Sequence, residues 1–190
     1  MHLYLASGSP RRAELLRQIA VPFSVLPAPN IDETPLSGER PVDYVCRMAQ
    51  EKARAGRQPG GAVLGADTAV VLGNAILGKP ANDQEALAML KSLNGTEHQV
   101  MSAQALLCGE QMAVRYSITR VQFRHLDDAR LQAYVNTGEG ADKAGGYGIQ
   151  GLGGALVASL TGSYSGVVGL PLEHTVELLE WADIPYWQVD

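Results

Sequence analysis

The hexapeptide Ser7-Gly8-Ser9-Pro10-Arg11-Arg12 gathers two flanking hydroxyls, a glycine and two guanidiniums into one short segment. Where such a segment opens a helix, the first backbone N–H groups lack intrahelical partners, and with the arginines they form a cradle for phosphate. Cations in a first helical turn oppose the helix dipole, so a bound anion accounts for the pair; a solvated surface pair is the alternative. Asp67 is the second signal, because it interrupts the apolar run Ala62-Val63-Leu64-Gly65-Ala66-Asp67-Thr68-Ala69-Val70-Val71-Leu72. A carboxylate there costs about 2 kcal/mol or more unless it is paired, hydrogen-bonded or bound to metal. It reads either as a strand-end residue facing a loop or as a metal ligand or general base. Glu33, next to Asp32 on a proline-rich segment, can add a second hard oxygen, and magnesium held partly by substrate phosphates needs no more. Lys52 and Lys79, two of only four lysines, are candidate phosphate contacts, with solvated surface again the alternative.

Two familiar patterns are set aside. Gly73-Asn74-Ala75-Ile76-Leu77-Gly78-Lys79-Pro80 has the spacing of a P-loop, but Pro80 replaces the hydroxyl residue that would hold magnesium and has no N–H to offer. Gly146-Tyr147-Gly148-Ile149-Gln150-Gly151 matches G-x-G-x-x-G, yet no strand is expected before it and no helix after it. An NAD-dependent oxidoreductase is therefore disfavoured. His2, His98, His125 and His174 show no ligand spacing and receive no role, and Cys46 and Cys108 read as buried free thiols.

The elements that must position these residues alternate in type. A strand is expected over 3–6, then a helix over 11–19 with Ser9 as N-cap and Pro10 in its first position. Pro22 to Pro27 reads as an edge strand, 28–40 as a loop and 41–56 as an amphipathic helix. The run 62–72 has the composition of a strand covered on both faces. Asn82 and Glu85 open a helix that stops at Asn94-Gly95. A hairpin over 98–107 and 112–123 turns at Gly109-Glu110, and its face pattern slips at Arg120-Val121, which predicts a bulge there. Asp127 caps a helix reaching about Thr137, 155–160 is a strand and 171–182 the last helix. The interleaving predicts an α/β, three-layer fold with a mixed, mostly central sheet and a single domain over 1–190. The 28–40 loop and the glycine-rich stretch would line an active-site cleft between two lobes.

The 190 residues are 46% apolar and 18% charged with a net charge of -5, which excludes a disordered or collagenous chain. No apolar run is long enough for a signal or membrane segment, so a soluble cytoplasmic protein with no membrane partner is expected. The overall acidity argues against a nucleic-acid partner. Charge is unevenly placed, however: residues 1–57 carry a balance of +2 and residues 121–190 one of -6, while 11 of the 21 glycines lie between Gly138 and Gly169.

Taken together, Ser7-Gly8-Ser9-Pro10-Arg11-Arg12, Asp32-Glu33-Thr34, Glu51-Lys52-Ala53, Gly65-Ala66-Asp67-Thr68, Gly78-Lys79-Pro80, Asp142-Lys143-Ala144-Gly145, Tyr147-Gly148-Ile149-Gln150-Gly151 and Val168-Gly169-Leu170-Pro171 resemble the Maf family of nucleotide pyrophosphatases. The order and spacing match over about residues 3–180. The motifs are similar to those of the branch acting on dTTP and UTP rather than the branch acting on 7-methyl-GTP. The resemblance implies cleavage between the α and β phosphates with a divalent cation, Mg or Mn, an inosine-triphosphatase-like fold and a homodimer. It implies Asp67 as proton acceptor and Arg11, Thr68 and Gln150 as specificity residues. It further implies Ser7, Arg11, Arg12, Lys52 and Lys79 on the phosphates, and Glu33 with Asp67 on the metal. A nucleotide-binding regulator of septum formation is the rival that the same resemblance carries. The chain departs from the family pattern before Lys79, where an acidic residue is common, and in the tail from Trp181 to Asp190.

Overall fold

The structure, a computed structural model, describes residues 1–189; Asp190, the end of the tail, lies outside the described residues. The chain enters as β1 (His2–Ala6), passes into α1 (Pro10–Gln18) and returns as β2 (Phe23–Val25), parallel to β1 at the sheet edge. α2 (Pro41–Ala55) leads into β3 (Gly61–Leu72), which also runs parallel to β1. The Gly73-Asn74 turn sends β4 (Ala75–Leu77) back along the end of β3. After α3 (Asp83–Leu93), β5 (Glu97–Cys108) and β6 (Gln111–Phe123) form the hairpin, with β5 antiparallel to β3. Next come α4 (Asp128–Val135) and a glycine-rich passage with 3-10 turns at Ala144–Gly146 and Leu152–Leu156. β7 (Val157–Thr161), α5 (Tyr164–Val168) and α6 (Leu172–Trp181) follow. The sheet order is β2-β1-β3-β5-β6-β7, with β4 on β3. Among the described residues no helix is long and apolar enough to cross a membrane.

Alternation along β3 explains the three layers. Val63, Ala69 and Val71 pack under α2, whereas Ala62, Leu64 and Ala66 face α1 and α6, and Val70 faces α3 and α4. The mixed three-layer α/β arrangement follows. Between the two cores on the second face lies a polar interval, Thr68 on β3 with Ser102 and Gln104 on β5. Both polar atoms of the Gln104 amide are bonded, the nitrogen donating to Pro171 O at 2.6 Å and the oxygen accepting from Thr175 Oγ1 at 2.9 Å, so its burial costs little.

The sheet also has a notch. β1 pairs with β3 up to Gly65 and β4 pairs with it from Val70, so residues 66–69 have no strand beside them on that edge among the described residues. Their opposite edge stays paired with β5. Gly65, just before the notch, meets α2 so closely that a Cβ there would stand 2.3 Å from Ala49 O and 2.5 Å from Ala53 N.

Several expectations need correction. The β5–β6 ladder runs unbroken from Glu97↔Gln122 to Cys108↔Gln111, and the one irregularity in this region lies between Gln122 and Phe123, against β7. The pattern slips because the covering layer changes: Met112 and Val114 pack toward α2, then Val121 and Phe123 toward α4. Ser9 has the backbone of an N-cap, but its side chain caps nothing. Its own N–H donates to Ser7 Oγ at 3.3 Å. Cys46 and Cys108 are free but partly exposed rather than buried. The expected strand over 155–160 is Val157–Thr161, because the 3-10 turn uses its first residues. β4 and α5 are additions; α5 holds a glycine and two valines, poor helix formers, and depends on Ser163 capping the Gly166 N–H at 3.0 Å.

Gly65→Ala is therefore expected to lose about 1–3 kcal/mol in urea unfolding. Gly78→Ala, where a Cβ would meet nothing within 4 Å, serves as control and should stay within about 0.5 kcal/mol of wild type.

Candidate active site

A cavity of about 830 Å³ opens over the notch. Its lining includes Ser7, Arg11, Arg12, Glu33, Lys52, Asp67, Thr68, Lys79 and Gln150, so every candidate residue named from the sequence faces one space. The β1–α1 junction supplies Ser7, Arg11 and Arg12, and the end of α2 supplies Lys52. The 28–40 loop and the glycine-rich passage both contribute to the wall.

On β3, Asp67 points to the α2 side and Thr68 to the other. Buried Asp67 is paired: the Lys52 ammonium donates to its Oδ1 at 2.7 Å and meets Glu33 Oε1 at 2.8 Å. Lys52 is itself buried, while Glu33 is half exposed. One cation thus serves two carboxylates. Tyr44 Oη donates to the Glu33 carbonyl at 3.0 Å. Burial, and then the negative charges of Asp67 and Glu33, push the Tyr44 phenol up to about 12, so it stays neutral.

The two arginines divide their work. Arg12 Nε donates to Gly169 O at 2.9 Å, Nη1 to Ser7 Oγ at 2.9 Å and Nη2 to Thr68 Oγ1 at 3.3 Å. Burial lowers the Arg12 pKa from its ordinary value against the opposing pull of Asp67. Thr68 Oγ1 also bonds Ser102 Oγ at 2.9 Å, and Ser102 donates to Gly166 O at 2.6 Å. Arg12 therefore ties α1 to β3 and to the α5 end, with two N–H groups left over. Among the described residues, Arg11 and Lys79 have neither a hydrogen bond nor an ion pair from their side chains. Because Ser9 withholds its cap, the Arg11 and Arg12 backbone N–H groups are also unclaimed among the described residues. The site thus holds free cations and free donors facing the cavity.

Gln150 is exposed at the rim, on a loop organised by residues the sequence did not single out. Glu139 Oε1 accepts from Gly153 N at 2.8 Å and Tyr134 Oη at 2.9 Å, and Oε2 accepts from Leu152 N at 2.7 Å. Burial alone would raise the Glu139 pKa, but these bonds outweigh it and hold the carboxyl below its ordinary value. His98, given no role above, is buried with Nε2 2.8 Å from Tyr147 Oη and edge-on to Phe123. Tyr147 lines the cavity, so His98 supports its wall. The G-x-G-x-x-G string overlaps one 3-10 turn and ends before another, not between a strand and an α-helix.

The Maf-like protein family model matches residues 2–182. The chain belongs to the Maf family. A relative from Alcanivorax borkumensis, named dTTP/UTP pyrophosphatase, is 73% identical over 193 aligned residues, covering 100% of both chains. A Shewanella relative with the same name is 54% identical and covers 97% of this chain and 100% of its own. A solved nucleoside-triphosphatase / dITP/XTP pyrophosphatase from Mycobacterium abscessus is 18% identical over 66% of this chain and 76% of its own, with a TM-score of 0.41, too low to bear on the fold. In this Maf chain, a strand carboxylate, one shared ammonium and a rim of free cations form a pocket suited to an anionic substrate and to proton abstraction.

Burial lowers the His98 pKa from 6.5 to about 4. As pH falls, an unfolded chain takes up this proton first, so the contribution is whole above pH 6.5 and lost on the way down to 4. Up to about 3 kcal/mol should disappear over that interval. Urea midpoints measured across it should fall less steeply for His98→Gln than for wild type; equal slopes refute the assignment.

Proposed function

We infer that the chain hydrolyses dTTP and UTP at the α–β phosphoanhydride, releasing the nucleoside monophosphate and pyrophosphate. Asp67, lining one cavity with the free cations of Arg11 and Lys79, is the observation that carries this reading; the full-length relatives supply the substrate. Asp67 accepts the proton of the attacking water, whose oxygen bonds to the α-phosphorus as the α–β bridging P–O bond breaks. Arg11, Lys79 and the remaining Arg12 N–H groups neutralise charge on the phosphates and on the departing pyrophosphate. Ser7 Oγ accepts from Arg12 and Ser9, which leaves its hydroxyl proton to donate to a phosphate oxygen. Lys52 keeps Asp67 in place and lies close enough to Glu33 to join the same electrostatic clamp.

Glu33 and Asp67 would hold the divalent cation, Mg or Mn. Two hard carboxylates already share one cationic position, that of the Lys52 ammonium. No group of three or more His, Cys, Asp or Glu side chains gathers as a metal cage among the described residues. That donor set suits an ion whose remaining ligands are water and substrate phosphates. When bound, such an ion neutralises phosphate charge and polarises the scissile phosphoryl group. Base selection falls to Gln150, whose amide offers a donor and an acceptor to a pyrimidine edge, and to Arg11; Thr68 enters through its bond with Arg12. The reading covers one domain over 1–190 acting as a homodimer, whose mass in solution light scattering can measure.

A panel of nucleoside triphosphates, 7-methyl-GTP included, assayed with magnesium or manganese for pyrophosphate release, is the direct test. Expected are cleavage of dTTP and UTP, loss on adding EDTA, and at least about a 100-fold lower kcat for Asp67→Asn. Turnover by Asp67→Asn equal to wild type overturns the mechanism. Tight nucleotide binding without cleavage would instead favour a regulator.

A further inference from the structure

We propose that Glu139 is a positioning residue for substrate selection, holding the loop that carries Gln150 in the register that reads the base. The proposal rests on Gln150 being a base-reading residue, as inferred above. Gln150 makes no side-chain hydrogen bond among the described residues, so its place is set by its backbone alone. Ile149 beside it packs into the core, and the polar ties of that backbone run to one carboxylate and one phenol. Beyond Gln150, Leu152 N and Gly153 N donate directly to the two oxygens of Glu139 at 2.7 and 2.8 Å. Before it, Gly148 N donates to Tyr134 Oη at 3.1 Å, and Tyr134 in turn donates to Glu139 at 2.9 Å. A Cβ at Gly151 would stand 2.2 Å from Glu139 Oε2, so the loop is drawn in as far as a glycine permits.

Two considerations separate this arrangement from ordinary loop packing. Glu139 lines the cavity, and an acid on the wall of a pocket for a polyphosphate repels its ligand. Among the described residues its carboxylate also forms no ion pair: Lys143 Nζ pairs with Asp142 at 2.7 Å and reaches only the Glu139 backbone oxygen, at 2.5 Å. The negative charge is therefore offset first by three donors of the loop system, with the Lys143 charge adding less, and holding that loop is what its position accomplishes.

Glu139→Gln replaces one acceptor oxygen by an NH2 that opposes a backbone N–H, leaving the volume unchanged. With dTTP against GTP as the selectivity pair, Glu139→Gln is expected to lower the dTTP preference about tenfold through KM, with kcat within about threefold. Inhibition by inorganic pyrophosphate, which has no base, should stay as in wild type. Gln150→Ala should show a comparable loss, and the double variant no further loss, because the two act as one unit. Selectivity retained by Glu139→Gln but lost by Gln150→Ala overturns this proposal alone, as do losses that multiply in the double variant. Selectivity retained by Gln150→Ala overturns the reading beneath it as well. Should Glu139→Gln not fold, Tyr134→Phe severs only the Gly148 arm; a smaller loss of preference with unchanged pyrophosphate inhibition is expected, and none refutes the proposal.

Discussion

Helix α2 rests on β3 at Gly65, and the site's charge arrangement depends on that contact. Without a Cβ in the way, the helix backbone comes within contact of the strand, and Lys52, one residue before Ala53 in that contact, is carried over Asp67. A lysine reaching from a more distant helix would leave Asp67 as an unpaired buried carboxylate, the costly arrangement that the sequence alone flags. One ammonium stands against the two carboxylates Asp67 and Glu33, both of which also pull on the Arg12 guanidinium. The cations of Arg11 and Lys79 are separate from this cluster. The pocket is thus divided into a part lined by carboxylates and a part lined by unpaired cations.

The notch in the sheet opens both parts onto the same cavity. β3 is twelve residues long, more than β1 can cover, and β4 takes up the far end. The stretch between them carries Asp67 and Thr68, whose side chains diverge to opposite faces of the sheet. Thr68 meets the polar interval between the two cores of the second face, where Arg12 and Ser102 satisfy it. A continuous apolar core across that face would have left no place for a guanidinium.

Much of this was legible because it rests on local chemistry. Pro10 after a strand marks the α1 start, an acid in an apolar run marks Asp67, and alternation marks both faces of β3. Other features were not, and for physical reasons. Arg11 and Arg12 are adjacent on a helix and so differ by about 100° in direction; the acceptors that hold Arg12 inward are Ser7, Thr68 and Gly169, two of them far along the chain. Glu139 acts on residues 13 and 14 positions away, a spacing that matches no helix or strand period. α5 is built from poor helix formers and exists because Ser163 caps it and Ser102 binds it. The apparent bulge in β6 was an alternation read against one covering layer when there are two.

The bond between Arg12 and the carbonyl of Gly169 joins residues 157 positions apart. A ribosome releases α1 and β3 long before α5, so the growing chain displays its arginines and Asp67 while the pocket is still unclosed. Until Gly169 emerges at the end of α5, Arg12 has two of its three anchors, Ser7 and Thr68, and lacks the third. Val167, Val168 and Gly169 line the cavity, so its wall is complete only when the chain is nearly finished.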